Sequence, residues 1–250
     1  MTEFANTLRT WRKARRFSQL DLAGEADVSA RHISFLESGR ARPSRDMIGR
    51  LSDALMLPLD ARNIMLTHAG FAARYPARAW DADDMAPIRT AVDHMLAAHG
   101  PYPALALNGV WTVLRMNPSA LALFGALGVQ PGDSLLDLMM SDTPPRVIEN
   151  WPDVAHHAAQ RLRTESAAQG GVAALDRAAD HLAAVDAPRD PTAGPVIPIT
   201  FNTGTMRLSL MATIAQFGTP HDVTVDDLKV ELYFPTDEAS ASVLKALAKG

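Results

Sequence analysis

Up to Gly70, apolar residues recur at three- and four-residue intervals, the spacing of one buried helix face. Thr7 to Arg16 reads as a first helix, with Phe4, Leu8, Trp11 and Ala14 as its inward stripe. Ser18 to Pro43 then reads as two short helices meeting at a tight corner. Ser18 caps the first, with Asp21 completing a weak capping box, and Leu20, Leu22 and Ala23 form its apolar face. Asp27-Val28-Ser29 breaks it. Ser29 caps the second, which turns Ile33 and Leu36 inward and Ala30, Arg31, His32 and Ser34 outward, and Gly39 ends it. Pro43-Ser44 opens a fourth helix on Met47, Ile48, Leu51 and Leu55. Asp60 opens a fifth on Ile64, Met65 and Leu66, closed by Gly70.

Periodicity lapses over residues 71–84, where Pro76 and an acidic cluster mark a linker with Tyr75 and Trp80 as anchors. Met85 to His99 is helical again. The period then shortens. Ala104 to Leu107 and Trp111 to Met116 are β-like runs around Asn108-Gly109, a strong hairpin signal. Asn117-Pro118 opens a helix that finishes at Phe124-Gly125. Leu135 to Met140, Pro145 to Ser166 and Val172 to Val185 read as helical, with Trp151-Pro152 starting a helix on Val154, Ala158 and Leu162, Gly170-Gly171 as a break and Asp186 to Pro195 as a loop. Val196 to Phe201, Met206 to Phe217 and Val223 to Phe234 read as strands, the last two alternating apolar and polar residues, with a turn at Asn202 to Thr205. Ala239 to Leu247 is a terminal helix. The predicted class is α+β: a five-helix domain at 1–72, a linker at 73–84, and a domain of antiparallel sheet and flanking helices at 85–250.

Charge sharpens this division. There are 12 basic and 8 acidic residues up to Arg74, and 12 basic against 20 acidic after it, so a head of +4 is joined to a body of −8. A basic module on an acidic one suits a nucleic-acid-binding head. The 47% hydrophobic content supports a packed core, and the absence of cysteine excludes disulfides and zinc-finger ligand sets. No apolar run approaches the roughly 20 residues of a membrane span, and the charged N-terminus lacks a signal core, so a soluble, cytoplasmic protein is expected.

A short helix with a small polar outer face and one Arg, backed by another helix, is what entry into a DNA major groove requires. Gln19, Ala23, Val28-Ser29, Ile33, Leu36-Glu37 and Gly39, followed by Pro43-Ser44, resemble the phage-repressor/Cro helix-turn-helix of the XRE family. The run VSARHISFLESGRARPSRDM resembles a bacterial subgroup with a C-terminal PAS-like ligand-binding domain of the MltR/MmyB type. Two strands, several helices and three strands match the PAS order, as does the Asn117-Pro118-Ser119-Ala120 helix start.

The resemblance implies that Gln19 spans phosphate and base edge. Ser29, Ala30 and Arg31 stand where side chains meet bases; Arg31 is the base reader through guanine, and Ala30 meets a thymine methyl. Ser34, Arg40 and Arg42 are phosphate contacts, and Ser18 and His32 complete the DNA-facing set. Phe35 departs from the polar residue often found there, and Glu37 is a structural partner for a nearby Arg. Arg9, Arg12, Lys13, Arg15 and Arg16 form either a solvated face or a phosphate-attracting one.

In the second domain, no HExxH, GxSxG, Walker or GxGxxG pattern is present. Adjacent His156 and His157 diverge on a helix and chelate poorly, and Asp226-Asp227 reads as a solvated strand entry. A regulator rather than an enzyme is expected, with no cofactor and no metal. Candidate walls of an apolar ligand pocket are Leu105, Leu107, Trp111, Phe124, Leu138, Met139, Trp151, Leu162, Leu208 and Leu210. Arg161, His157 or Arg115 would face a ligand carboxylate. The resemblance implies a hydrophobic effector, fatty-acid- or acyl-like, acting on a homodimer bound to a double-stranded operator, with no membrane partner. The rival reading keeps the DNA-binding head and gives the second domain only dimerisation or protein-partner binding.

Overall fold

The first helices of the chain begin where a side-chain oxygen receives the backbone N–H three residues on. Thr2, Ser18, Ser29 and Ser44 do this for α1 (Glu3–Ala14), α2 (Gln19–Glu25), α3 (Ala30–Ser38) and α4 (Arg45–Ala54). The Ser18 cap is a full capping box, with Ser18 N–H donating to Asp21 at 2.7 Å. The computed structural model describes residues 2–186, 196–204 and 206–247. The expected loop at Asp186 to Pro195 lies outside the described residues apart from Asp186, as does Thr205 of the expected turn.

Between α2 and α3 the chain turns through Asp27, whose φ of 51° is left-handed, a region aspartate enters more readily than most side chains. Gly39 closes α3 at φ 74°. The fifth helix, α5 (Leu59–His68), has no cap from its preceding Pro58; Asp226 Oδ2 accepts the Leu59 N–H at 2.9 Å instead. The core of this unit gathers Phe4, Leu8, Trp11, Leu22, Ile33, Leu36, Ile48, Leu51 and Met65. Three expected core positions lie elsewhere. Leu20 is 71% exposed because only the Leu22–Ala23 side of the seven-residue α2 faces its neighbours. Ala14 and Ile64 are exposed on the outer faces of α1 and α5. The first helix also starts at Glu3 rather than Thr7, since Thr2 supplies the cap.

The chain divides into two compact units: Met1–Arg78 with Ser166–Gly171 and Pro220–Asp226, and Ala79–Glu165 with Val172–Thr219 and Asp227–Gly250. In the second, a 3-10 turn at Asp83–Met85 leads into α6 (Ala86–Ala98), and β1 (Ala104–Leu107) pairs antiparallel with β2 (Val113–Met116). The connection is wider than the two-residue hairpin expected. Asn108 Oδ1 accepts the N–H groups of Val110 and Thr112, and Trp111, not Gly109, takes the left-handed φ of 64°. Gly109 is small for another reason: a Cβ there would lie 3.0 Å from the Asp227 side chain.

Asn117, 4% exposed, starts α7 (Pro118–Gly125) and ties four backbone groups together. Its Oδ1 accepts from Ala120 and Ala104, and its Nδ2 donates to the carbonyls of Leu96 and Tyr102. After α8 (Leu135–Met140), the helical stretch expected from Pro145 divides, and a helix starts at Trp151 as expected. α9 (Pro144–Val147) ends where Ile148 bridges Phe201 and Asn150 bonds Pro198 and Thr200, and α10 (Trp151–Ala168) then begins. Gly170 and Gly171, both at positive φ, separate it from α11 (Ala173–Ala183).

Three strands close the sheet: β3 (Ile199–Asn202), β4 (Arg207–Ala215) and β5 (Lys229–Pro235), in the order β2-β1-β5-β4-β3, antiparallel throughout. The strand expected from Val196 starts only at Ile199. The strand expected from Val223 starts at Lys229, because Asp222 caps a short turn of helix, α12 (Val223–Asp226). Asp226, bonded to Leu59, is therefore not a solvated strand entry. α13 (Glu238–Leu247) follows β5, and its Ser240 Oγ accepts the Ser209 N–H.

One face of the sheet, with Leu105, Leu107, Leu208, Leu210 and Tyr233, packs against α7, α8, α10 and α11. The other, with Ala104, Ala106, Leu228 and Val230, packs against Val92 and Leu96 of α6, and Trp80 joins that cluster. Because β5 is covered on both sides, Lys229, Glu231 and Tyr233 are buried rather than solvated, as is Ser209 on β4, while Ile214 at the far end of β4 is exposed. Among the described residues no helix is long and apolar enough to cross a membrane.

Candidate functional site

The geometry presents two candidate sites, one in each unit. In the first, α3 shows Ser29 and Arg31 on its exposed face, His32 and Ser34 half-buried, and Ala30 packed partly into the core. Arg40 and Arg42 follow the helix and are exposed, and Ser18 is exposed at the start of α2. The Ser18 and Ser29 hydroxyl oxygens also serve as helix caps. Phe35 is half-buried one turn beyond Arg31. The Arg31 and Arg40 guanidinium carbons lie 5.2 and 5.8 Å from its ring centre, so the aromatic side chain supports both cations.

Glu37, 1% exposed, anchors the back of this face. Its carboxylate accepts from Arg12 Nε and Nη2 at 2.6 and 2.9 Å, and from Gln19 Nε2 at 2.8 Å. Arg9 donates to the Glu37 carbonyl at 2.9 Å. Burial pushes the Glu37 carboxyl up, but the hydrogen bonds from Arg12 and Gln19 and the charges of Arg12 and Arg9 outweigh it and hold it below its ordinary value. Glu37 is thus the structural partner of an arginine, as expected. Part of the basic face of α1 is used internally: Arg12 binds Glu37, and Arg15 donates to the carbonyl of Leu55 while stacking on Trp11. Lys13 and Arg16 are exposed.

In the second unit an apolar cavity of about 230 Å³ lies between the sheet and helices α8 to α10. Seven of the residues considered from sequence line it: Trp111, Phe124, Leu138, Met139, Trp151, His157 and Arg161. Leu105, Leu107, Leu162, Leu208 and Leu210 sit behind the wall as fully buried core, since their strand and helix faces are filled by neighbours. Arg115 is on β2 beside Asp93 at 3.6 Å and Trp80, away from the lining. Val147, Ile148, Val154, Ile197, Ile199 and Ala212 complete much of the apolar surface.

The polar end of this cavity is a closed set of charges that residue spacing along the chain does not announce. Arg161 Nε bonds Glu165 at 2.9 Å, and its Nη2 bonds Glu231 at 2.5 Å. Lys229 pairs with Glu165, Trp111 Nε1 donates to Glu165 at 2.8 Å, and Tyr233 Oη donates to Glu231 at 2.7 Å. The Arg161 and Lys229 cations lie 4.5 and 5.1 Å from the Trp111 ring centre. Burial pushes Glu165 up, but Lys229, Trp111 and Arg161 together hold it below its ordinary value. Burial first, then the Glu231 carboxylate, raises Tyr233 well above its ordinary value, so the phenol stays a neutral donor. The available sequence signals were the Arg161/Glu165 pair at i,i+4 and the alternation of Lys229, Glu231 and Tyr233 on one strand face.

Among the described residues no group of three or more His, Asp or Glu comes together that could hold a metal. His156 and His157 have ring centres 5.7 Å apart at 85°, and His156 bonds Gln160.

Residues 3–63 match a helix-turn-helix domain model, and residues 88–247 match the MmyB-like transcription regulator ligand binding domain. The class is thereby defined as a DNA-binding transcription regulator with a ligand-binding domain. No curated protein matches the chain. The chain belongs to the MmyB-like transcription regulator family, whose ligand-binding domain model covers most of its length.

Proposed function

We propose that the chain binds a double-stranded operator as a homodimer through α2 and α3, and that a hydrophobic small molecule, fatty-acid- or acyl-like, regulates this binding from the second unit. Arg31 reads a guanine edge, Gln19 and the two cap serines position the helix, and Ser34, Arg40 and Arg42 meet phosphates. In a two-fold dimer the half-sites lie one helical turn apart, about 34–36 Å. The observation that carries the ligand reading is the cavity: about 230 Å³, apolar along its walls and polar at one end. A cavity of ~150 Å³ takes benzene, so this one suits a chain of roughly nine carbons.

The test is reciprocal. An operator is first selected from random DNA with the full chain, and medium-chain acyl compounds are then titrated with and without it. Regulation requires the ligand to change operator affinity and the operator to change ligand affinity by the same factor. Ligand binding with no mutual effect removes the regulatory reading. Failure of every such compound to bind leaves the dimerisation or partner-binding rival.

A further inference from the structure

The polar end of the cavity carries no spare charge. Arg161 and Lys229 stand against Glu165 and Glu231, two cations to two carboxylates. The Trp111 and Tyr233 donors are already committed to those carboxylates. Arg161 is 29% exposed at the cavity wall; with Nε given to Glu165 and one Nη2 hydrogen to Glu231, its Nη1 hydrogens and the second Nη2 hydrogen are uncommitted among the described residues. An entering head group therefore meets one open N–H donor set inside an otherwise balanced cluster.

We propose that this end selects an uncharged acyl head, an ester, amide or alcohol oxygen accepting from Arg161 Nη1, over the carboxylate of a free fatty acid. The inference rests on the ligand reading above. A carboxylate there adds a third negative charge beside Glu165 and Glu231 with the same two cations to balance it, in a largely apolar enclosure. A neutral oxygen satisfies the donor and leaves the balance intact. The acid therefore binds with a proton on its own carboxyl. The titratable groups around the head are His157, Arg161 and Glu165 of α10 and Lys229, Glu231 and Tyr233 of β5. His157 also lines the cavity, so a His157→Gln chain is measured alongside.

The experiment is calorimetric titration of the full chain, wild type and His157→Gln, with 1-decanol, methyl decanoate and decanoate. At about pH 8 the two neutral probes are expected to bind at least about tenfold more tightly than decanoate, which gains up to about tenfold per pH unit on acidification as one proton is taken up. The neutral probes hold their affinity, and the pattern persists in His157→Gln. Glu231→Gln, which removes one carboxylate, brings decanoate level with the neutral probes; should that variant not fold, the wild-type pH series decides alone. Decanoate binding as tightly as the others at about pH 8, or a gain that vanishes in His157→Gln, overturns the inference while the ligand reading stands. If none of the three probes binds, the ligand reading fails and takes the inference with it.

Discussion

Replacing Arg12 by Met keeps an unbranched side chain and removes the guanidinium, which tests how the DNA-facing helix is held. Three hydrogen bonds go with it: two to Glu37, at 2.6 and 2.9 Å, and one to the Phe17 carbonyl at 2.8 Å. Glu37 stays buried with Gln19 at 2.8 Å and Arg9 at 3.8 Å. Breaking a buried pair by removing one partner costs about 3–5 kcal/mol. Arg12 is itself 11% exposed and Arg9 remains close, so the low end, about 3 kcal/mol, is expected. For a domain of this size that lowers the melting temperature by roughly 12–24 °C.

The effect has a definite pH signature. In the wild type the folded Glu37 titrates below its unfolded value, so its contribution is present above the unfolded value and lost as pH falls through the folded one. In Arg12→Met, burial prevails and the folded value rises above the unfolded one. The penalty is then full at neutral pH and is relieved as acid neutralises Glu37. The two proteins should converge on acidification, leaving about 1 kcal/mol for lost hydrogen bonds. Amide hydrogen exchange of α1 and α3 in the full chain, corrected for intrinsic rates, reads both quantities. A second change, Glu37→Gln, should restore part of the loss by removing the stranded charge. A neutral-pH loss below about 1 kcal/mol, or one of constant size down to acid, refutes the reasoning.

Other outcomes follow from the same contacts. Arg31→Ala should cost about 1–3 kcal/mol on the selected operator and much less on random DNA in anisotropy titrations; equal losses on both would end its role as a base reader. Asn117→Ala removes the α7 cap and strands the Ala104 N–H and the Leu96 and Tyr102 carbonyls, so thermal melting should show a loss of about 2–4 kcal/mol in the second unit. Ala158→Leu fills cavity space without touching the charge cluster, so decanol affinity should fall at least about tenfold while the melting temperature holds or rises. An unchanged affinity would place the ligand elsewhere.

The first unit was readable because its signals are local. Ser18, Ser29 and Ser44 cap helices from within three residues, and Gly39 ends α3 by its own left-handed conformation. Leu20 misled because a helix of seven residues has too few turns for its apolar face to be averaged. In the second unit, apolar alternation located the strands of the sheet but misjudged β5. A polar residue on alternate positions signals solvent only when the opposite face is open, and α10 covers the Lys229, Glu231 and Tyr233 side. The ion pairs that make such burial tolerable, Lys229 to Glu165 and Arg161 to Glu231, join residues 64 and 70 positions apart, beyond any local periodicity. The helix start at Trp151 was legible, but the pairing of Ile148 and Asn150 with Phe201 and Thr200 just before it spans the fold and left no local signal.

Buried carboxylates therefore recur at both candidate sites, and in each they do more for geometry than for stability. A buried ion pair gains little over a well-packed apolar substitute, so stability alone gives little reason for it. Glu37 fixes Gln19 and Arg12 at the back of the DNA-facing surface, where an apolar residue would leave the glutamine amide free to rotate. Glu231 fixes Arg161 and the Tyr233 phenol at the cavity end, so that a head group meets only the guanidinium N–H groups not given to Glu165 and Glu231. Removing either carboxylate should loosen discrimination more than it loosens binding: between bases in the first unit, and between charged and neutral heads in the second.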